Sequence, residues 1–262
     1  MVSMRFLALA LMWAGVAAAA DLRLPVRSRA KGEPVRREES LPVSQTAILI
    51  CDMWDKHWCS GATERVEALA IKMAPVIDAA RARGIQIIHA PSETMEFYKD
   101  WPQRRRMLGI AKVQPPPPLG ITDPPLPIDD RSGGCDTGES FYTAWKREIA
   151  TLPVVDGDVI SDDGLQIYSF LREHGIRNLL VMGVHANMCV LNRSFAIKQM
   201  TNWGIHCVLV RDLTDSMYNP KDRPYVSHAR GTEMVVEHIE KYWCPSAVSA
   251  DLMRALADAG SK

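Results

Sequence analysis

Residues 178–190 read N-L-L-V-M-G-V-H-A-N-M-C-V, and this stretch decides the fold. Its first half is an unbroken apolar run, which is typical of a parallel strand that helices cover on both faces. Gly183 ends the run, and Asn187 is the predicted N-cap of the next helix. Cys189 then falls in the first helical turn, where unpaired backbone N–H groups favour a thiolate. The pattern predicts a strand, a tight turn and a nucleophile; the alternative is a buried cysteine that packs as a small hydrophobic residue.

Working outward, strand-like and helical patterns alternate along the chain. Residues 47–54, 85–90 and 205–210 are short apolar runs typical of buried strands. Residues 63–83 and 161–174 carry apolar side chains at helical spacing, and glycine follows each of them. This alternation predicts an α/β fold with a parallel, doubly wound sheet.

Asp52 lies at the end of the first core strand in this prediction. Ligands of open α/β sheets bind beyond the carboxyl ends of the strands. A carboxylate at such a position is either a turn-capping residue or a catalytic group. Cys189, just beyond another strand, favours the catalytic interpretation.

Two motifs carry a family resemblance. G-V-H-A-N-M-C-V at residues 183–190 and D-M-W at residues 52–54 resemble the motifs of the isochorismatase-like cysteine hydrolases. This superfamily includes nicotinamidases, N-carbamoylsarcosine amidases and ureidoacrylate amidohydrolases. The resemblance covers roughly residues 45–245. It implies a three-layer αβα fold around a six-stranded, mostly parallel, doubly wound sheet.

The resemblance also implies an activity, namely hydrolysis of a C–N amide bond of a small molecule through a cysteine thioester. Cys189 matches the nucleophile of the family and Asp52 matches its base. A catalytic lysine precedes the cysteine by about 35 to 45 residues in the family, and Lys146 falls in that window. Arg147 is the alternative, and it would supply a cation that cannot give up its proton at working pH.

Further site residues follow from the same resemblance. It implies a cis peptide bond between Val184 and His185, and an oxyanion site made by the backbone N–H groups of His185 and Cys189. We expect Trp54, His57 and Trp58 to bind substrate. Trp54 departs from the glutamine that the family usually has there.

A metal ion is not expected. Asp55 and His57 have the D-x-H letters of the nicotinamidase metal site, but they precede the position that the family uses. The other nearby candidate, His89, lies in a predicted strand and is interpreted as a core histidine. We therefore predict no metal and no cofactor.

The chain divides into three parts in this interpretation. Residues 1–20 combine an early arginine, a short apolar run and four consecutive alanines, which predicts a secretory signal peptide. Residues 21–45 are polar and contain prolines, and we expect an extended N-terminal arm. Residues 46–262 form the hydrolase domain, with a proline-rich insertion at about 107–140. We therefore expect an exported protein, either periplasmic or secreted.

The charge balance limits the partners. Lys+Arg and Asp+Glu number 31 each, so neither nucleic acid nor an anionic membrane is favoured. We expect a small-molecule substrate and, from the resemblance, a homo-oligomer. All six cysteines follow the predicted signal peptide, and an exported protein can form disulfides. The sequence does not determine whether or how Cys59, Cys135 and Cys244 pair.

Two alternatives to the amidase remain at this point. An isochorismatase-type enzyme on the same fold would cleave a vinyl ether, but such enzymes lack the cysteine nucleophile, so Cys189 favours the amidase. An exported small-molecule-binding protein would keep the fold without turnover. The aromatic loop around Trp54 and Trp58 fits that alternative as well.

Overall fold

Eight strands join into one sheet in the computed structural model, which describes residues 21–259. The strands are β1 (Asp21–Ala30), β2 (Glu33–Pro42), β3 (Thr46–Cys51), β4 (Gln86–Ala90), β5 (Val159–Ile160), β6 (Asn178–Val184), β7 (His206–Asp215) and β8 (Ser246–Ala247). The helices are α1 (Ser60–Ala82), α2 (Met95–Tyr98), α3 (Pro102–Leu108), α4 (Gly164–Glu173), α5 (Cys189–Asn192), α6 (Ile197–Asn202), α7 (His228–Tyr242) and α8 (Ser249–Asp258).

Six of the strands run parallel, and they form the doubly wound centre of the sheet. The order is β2-β1-β8-β7-β6-β3-β4-β5, and every pairing from β8 to β5 is parallel. One apolar core packs α4, α6 and α7 against one face, and a second core packs α1 and α8 against the other. The predicted three-layer αβα fold is confirmed.

Residues 21–45, which we predicted as an extended arm, form a β-hairpin that widens the sheet. β1 pairs with β2 along its whole length and with β8 at Arg27, antiparallel in both cases. Leu22, Leu24 and Val26 alternate into the core. Arg27 also donates to the buried Glu240 carboxylate of α7 at 2.7 Å. The segment is therefore an integral part of the sheet.

Residues 109–158, which include nearly all of the predicted insertion at about 107–140, form no helix and no strand. The only β-type contact of this stretch is an isolated antiparallel bridge between Glu148 and Trp54. Because proline lacks the N–H that helices and sheet ladders need, this stretch crosses the surface as an irregular segment. Its second half lies over the carboxyl end of β3.

The predicted signal peptide, residues 1–20, lies outside the described residues, so export stays a prediction. Among residues 21–259, no helix combines the length and the apolar character needed to cross a bilayer.

A buried ionic cluster lies beneath the insertion. His89 of β4 contacts Glu148 through Nδ1 at 2.6 Å and Asp158 through Nε2 at 3.1 Å, and Arg81 of α1 pairs with Asp158 at 2.7 Å. Burial alone would lower the pKa of His89, but the two carboxylates outweigh it and raise the pKa to about 9. His89 is therefore a charged, fully paired core histidine.

This cluster makes stability depend on pH. Because the pKa of His89 is about 9 in the folded chain and about 6.5 in an unfolded one, the folded state holds the extra proton between these values. The stabilisation is therefore complete below about pH 6.5 and is lost as the pH rises through about 9. We expect His89→Gln to lose on the order of 3 kcal/mol of unfolding free energy at pH 7. Urea unfolding at several pH values measures this; an unchanged pH slope in the variant would contradict the assignment.

Candidate active site

The site lies where the carboxyl ends of β3 and β6 meet. These strands are neighbours, and Cys51 pairs with Gly183 at their ends. Gly183 has φ +117°, and a Cβ atom there would lie 2.0 Å from the carbonyl oxygen of Cys51. Only glycine allows this close approach. The close approach of the two strand ends places Asp52, which follows β3, next to the residues that follow β6.

Asp52 is a fully buried carboxylate with two hydrogen-bond donors. Its Oδ1 accepts from the backbone N–H of Ser92 at 2.7 Å, and its Oδ2 accepts from Nε of Arg193 at 3.0 Å. The Cys189 thiol lies close enough that each of the two groups shifts the pKa of the other. Burial raises the pKa of Asp52, and Arg193, Cys189 and Ser92 oppose that rise in this order. Its backbone has φ +46°, a left-handed conformation that aspartate tolerates better than most residues. The structure thus brings Asp52 and Cys189 to the same edge of the sheet.

Cys189 is the first residue of α5 and is held as a thiol. Burial and the Asp52 charge raise its pKa well above the ordinary value, and Arg193 opposes them. This direction is opposite to the sequence-based expectation of a pKa lowered by a helix terminus. α5 has only four residues, too few for a strong dipole.

The helix after β6 also differs from the prediction. The single helix expected after Asn187 is divided into α5 and α6, and Met188 precedes α5 as its N-cap residue. The Asn187 side chain instead donates to the Met217 carbonyl at 3.1 Å and to Asp130 at 2.9 Å, and it accepts from the Met217 N–H at 2.9 Å. Asn187 therefore ties the site to the loop after β7.

The peptide bond between Val184 and His185 is cis, at the position that the resemblance implies. The carbonyl oxygen of His185 accepts from the N–H groups of Met188 and Val190. The backbone N–H of His185 favours the thiolate form of Cys189, as the smallest of the influences on the pKa of that thiol.

Arg193 is the cation of the site, and sequence reasoning missed it. Its guanidinium pairs with Asp52, and its Nη2 lies 3.2 Å from Glu93. It also lies over the Trp54 ring, 5.9 Å from the centroid. An arginine four residues after the predicted nucleophile was the available signal, because that spacing brings side chains to the same side of a helical turn.

Lys146 and Arg147 are not brought to Asp52 and Cys189, so the structure contradicts their prediction as the catalytic cation. The Lys146 side chain is exposed, and Arg147 is half-exposed near Asp55 and the Phe97 ring. Their segment runs beside residues 53–55, where it buries Trp145 and Glu148 instead. The spacing argument selected a segment that borders the site, but neither of its two cations reaches Asp52 or Cys189.

An aromatic pocket of about 260 Å³ opens beside Cys189. Four aromatic side chains line it, and Met188 and Met217 complete its apolar wall. These rings belong to Trp54, Trp58, Phe141 and Trp145. Trp54 and Trp145 stack with centroids 4.0 Å apart and planes 6° from parallel. The predicted pocket residues Trp54, His57 and Trp58 all line it, whereas Phe141 and Trp145 were not foreseen.

Two neutral histidines form the polar part of the pocket. His57 and His185 are 3% and 4% exposed, and their rings meet edge to face at 4.9 Å. Burial lowers the pKa of His57 to about 2 and that of His185 to about 4. Neither Nε2 has a hydrogen-bond partner within residues 21–259. A buried group of this kind is costly unless a ligand or water satisfies it, so these atoms are available to a polar substrate group.

The residues once considered for a nicotinamidase-type metal site are engaged elsewhere. Asp55 accepts from the backbone N–H groups of Lys146 and Arg147, at 3.0 and 3.4 Å. His89 is enclosed by its two carboxylates, and His57 faces the aromatic pocket. In the described part of the chain these side chains do not converge on one point.

The site and sheet together define a class of α/β protein with a nucleophile–carboxylate pair at the carboxyl edge of a parallel sheet. No family model matches the sequence, and no curated protein matches it either.

The fold is similar to that of a cysteine hydrolase from Pseudomonas syringae pv. phaseolicola 1448A. That match has a TM-score of 0.53 at 16% identity and covers 83% of this chain and 94% of that one.

A second similar structure is an isochorismatase from Pseudomonas putida KT2440. Its TM-score is 0.49 at 17% identity, over 79% of this chain and 90% of that one. The first comparison shows that this chain has the isochorismatase-like fold, which confirms at the level of fold the resemblance carried by the two motifs.

Proposed function

We propose that this protein is a hydrolase that cleaves the C–N bond of a small amide through a thioester on Cys189. The observation that carries this proposal is the position of Cys189 beside the buried Asp52 carboxylate, where the ends of β3 and β6 meet, at the wall of a pocket of suitable size. A nucleophile in contact with a base that another group orients is the general arrangement of covalent catalysis.

In the first step Asp52 accepts the thiol proton while the Cys189 sulfur attacks the amide carbonyl carbon. One S–C bond forms, and the carbonyl electron pair moves onto oxygen. Because the pKa of the thiol is raised and that of Asp52 is raised too, the proton moves only as the sulfur attacks. The backbone N–H groups of His185 and Cys189 hold the negative oxygen in this proposal.

In the second step the C–N bond breaks. The leaving nitrogen takes the proton from Asp52 and departs as ammonia or an amine, which leaves an acyl thioester on Cys189. Asp52, again a carboxylate, then takes a proton from water, and the hydroxyl attacks the thioester. The products are a carboxylic acid and the free thiol.

Arg193 keeps Asp52 able to act as a base. Burial without a counter-charge would leave that carboxyl protonated near neutral pH. The guanidinium lies 3.0 Å from Oδ2 and stabilises the ionised form. In this proposal Arg193 orients Asp52 and tunes its charge; it does not transfer a proton.

The pocket favours a flat apolar acyl group that carries one polar atom. The mutually stacked rings of Trp54 and Trp145, together with Trp58 and Phe141, give the pocket an aromatic wall, and flat apolar groups pack well against aromatic rings. The unpaired Nε2 atoms of His57 and His185 would bind the polar atom. This describes the chemical class of the substrate without selecting one compound.

The test is a panel of small amides, quenched in acid during turnover and analysed by peptide mass spectrometry. We expect the acyl group on the peptide that contains Cys189, and its removal by hydroxylamine. Cys189→Ala should bind the same amides and show neither adduct nor turnover. Turnover near the native rate in Cys189→Ala would remove the cysteine from the mechanism. Binding without acylation or turnover across the panel would favour the binding-protein alternative.

A further inference from the structure

Three side chains of metal-ligand type converge behind the pocket wall, outside the catalytic pair. Cys59 directly precedes α1, and Cys135 and Glu139 belong to the glycine-rich turns that end the insertion. Their ligand atoms, two sulfurs and a carboxylate oxygen, all lie within 4.8 Å of one another. Both cysteines are buried, and Glu139 closes the group on the solvent side. We call these three residues the Cys59 cluster.

We propose that the Cys59 cluster binds one divalent metal ion with an affinity for sulfur, Zn²⁺ being the first choice. Two thiolates with one carboxylate suit zinc, which accepts mixed sulfur and oxygen ligands in a tetrahedral arrangement. Residues far apart in sequence supply the donors, as is usual where an ion joins two segments. Water would take the fourth position.

The present contacts already direct oxygen and sulfur atoms toward a common point. The Cys135 thiol donates to Glu139 at 3.2 Å, and the Cys59 thiol donates to Asp136 at 3.4 Å. The Thr137 hydroxyl lies between both sulfurs, at 3.2 and 3.4 Å. Binding would form two metal–sulfur bonds and release the two thiol protons, with no change in oxidation state.

Asp136 is not assigned as a fourth protein ligand, because Arg65 already binds its carboxylate. Asp136 is near Cys59, but its carboxylate is held by Arg65 through two contacts, of 2.7 and 3.2 Å. Arg65 also pairs with Asp215 at 2.8 Å. This cation lies beside the cluster, where it would offset the negative charge of two thiolates and a carboxylate around the ion.

The proposed role is to hold the pocket wall together. Trp58, adjacent to Cys59, and Gly133, two residues before Cys135, both line the aromatic pocket, and they touch each other there. Met217 packs on the two cysteines and lines the same pocket. An ion at the cluster would join the start of α1 to the insertion directly behind these residues. The proposal departs from the expectation of no metal, and it does not depend on amide hydrolysis.

The test uses the full chain in a Cys189→Ala background, so that the catalytic thiol cannot contribute. The reduced, chelator-treated protein is titrated with Co²⁺, whose bonds to thiolate give a characteristic charge-transfer absorption. A competition with a chromophoric chelator then measures Zn²⁺. We expect one ion per chain and thiolate-to-cobalt absorption. Cys135→Ser should weaken binding on the order of 100-fold or more, and Glu139→Gln roughly 10-fold.

The matched control is Cys207→Ser, which removes a buried thiol of β7 and should leave binding unchanged. Glu139 is exposed, so Glu139→Gln keeps the test decisive if Cys135→Ser fails to fold. The proposal is overturned if reduced protein gives no thiolate-to-cobalt absorption, or if Glu139→Gln and Cys135→Ser bind as the parent does. It is also overturned if Cys59 and Cys135 join in a disulfide in the presence of stoichiometric Zn²⁺.

Discussion

Asp52→Asn is expected to lower amide turnover on the order of 10³-fold while the protein stays folded. A positioned general base contributes about 10²- to 10⁴-fold to a rate, and asparagine cannot accept the thiol proton. The substitution is nearly isosteric, asparagine tolerates the left-handed backbone at φ +46°, and its Oδ1 can still accept from Ser92. We therefore expect kcat to fall with little change in substrate affinity. Steady-state kinetics with circular dichroism measure both.

The pH profile distinguishes loss of a base from a structural effect. The kcat/KM of the native enzyme should fall at acid pH, where Asp52 becomes protonated. The residual activity of Asp52→Asn should not show this fall at acid pH. Native-like kcat in a folded Asp52→Asn protein would exclude Asp52 as the base.

Arg193→Gln is expected to lower activity at pH 7 by about 100-fold. Burial raises the pKa of Asp52, and Arg193 is the largest influence opposing it. An opposite charge at hydrogen-bond distance shifts a carboxyl pKa by about 1 to 3, so its removal leaves more Asp52 protonated. The acid limb of the kcat/KM profile should therefore move to higher pH, and activity should partly recover as the pH rises. A profile that keeps its midpoint would contradict this role.

Lys146→Gln and Arg147→Gln are the matched controls for Arg193→Gln. Both remove a cation from the segment that spacing selected, and both native side chains are substantially exposed. We expect either variant to stay within about threefold of native activity, as is typical of surface substitutions. A loss in Lys146→Gln equal to that in Arg193→Gln would restore the sequence-based assignment.

The proximity of Asp52 and Cys189 could be predicted from the sequence because regular elements position both residues, whereas the catalytic roles proposed for them were implied by the family resemblance. Asp52 ends an apolar strand and Cys189 follows another, and parallel strands bring their carboxyl ends to one edge of a sheet. No long-range detail was needed for that conclusion. The fold class followed from the same alternation of strands and helices.

The cation could not be found in this way, because Lys146 belongs to a segment without regular structure. Spacing locates such a segment approximately but does not determine which side chain faces inward. Here Trp145 stacks on Trp54 and Glu148 contacts His89, which leaves Lys146 outside. Arg193 is fixed by its contact with Asp52, a residue distant in sequence, and the only local signal was its position four residues after Cys189.

The N-terminal hairpin shows how prolines misled the prediction. Leu22, Leu24 and Val26 alternate as strand residues do, but Pro25 and Pro34 favoured an extended arm outside the sheet. β1 lies next to the edge of the sheet and meets β8 only at Arg27, and proline is tolerated in such strands. The alternation was the better signal.

The most direct measurement is the pKa of the Cys189 thiol, read from the pH dependence of its alkylation by iodoacetamide and resolved by peptide mass spectrometry. An unperturbed thiol titrates at about 8.5. Burial and the Asp52 charge place the pKa of Cys189 above that value, so Asp52→Asn, which removes the charge, should lower the pKa even as it slows turnover. A native pKa below the ordinary value that rises in Asp52→Asn would contradict the account, because the resting site would then hold a thiolate.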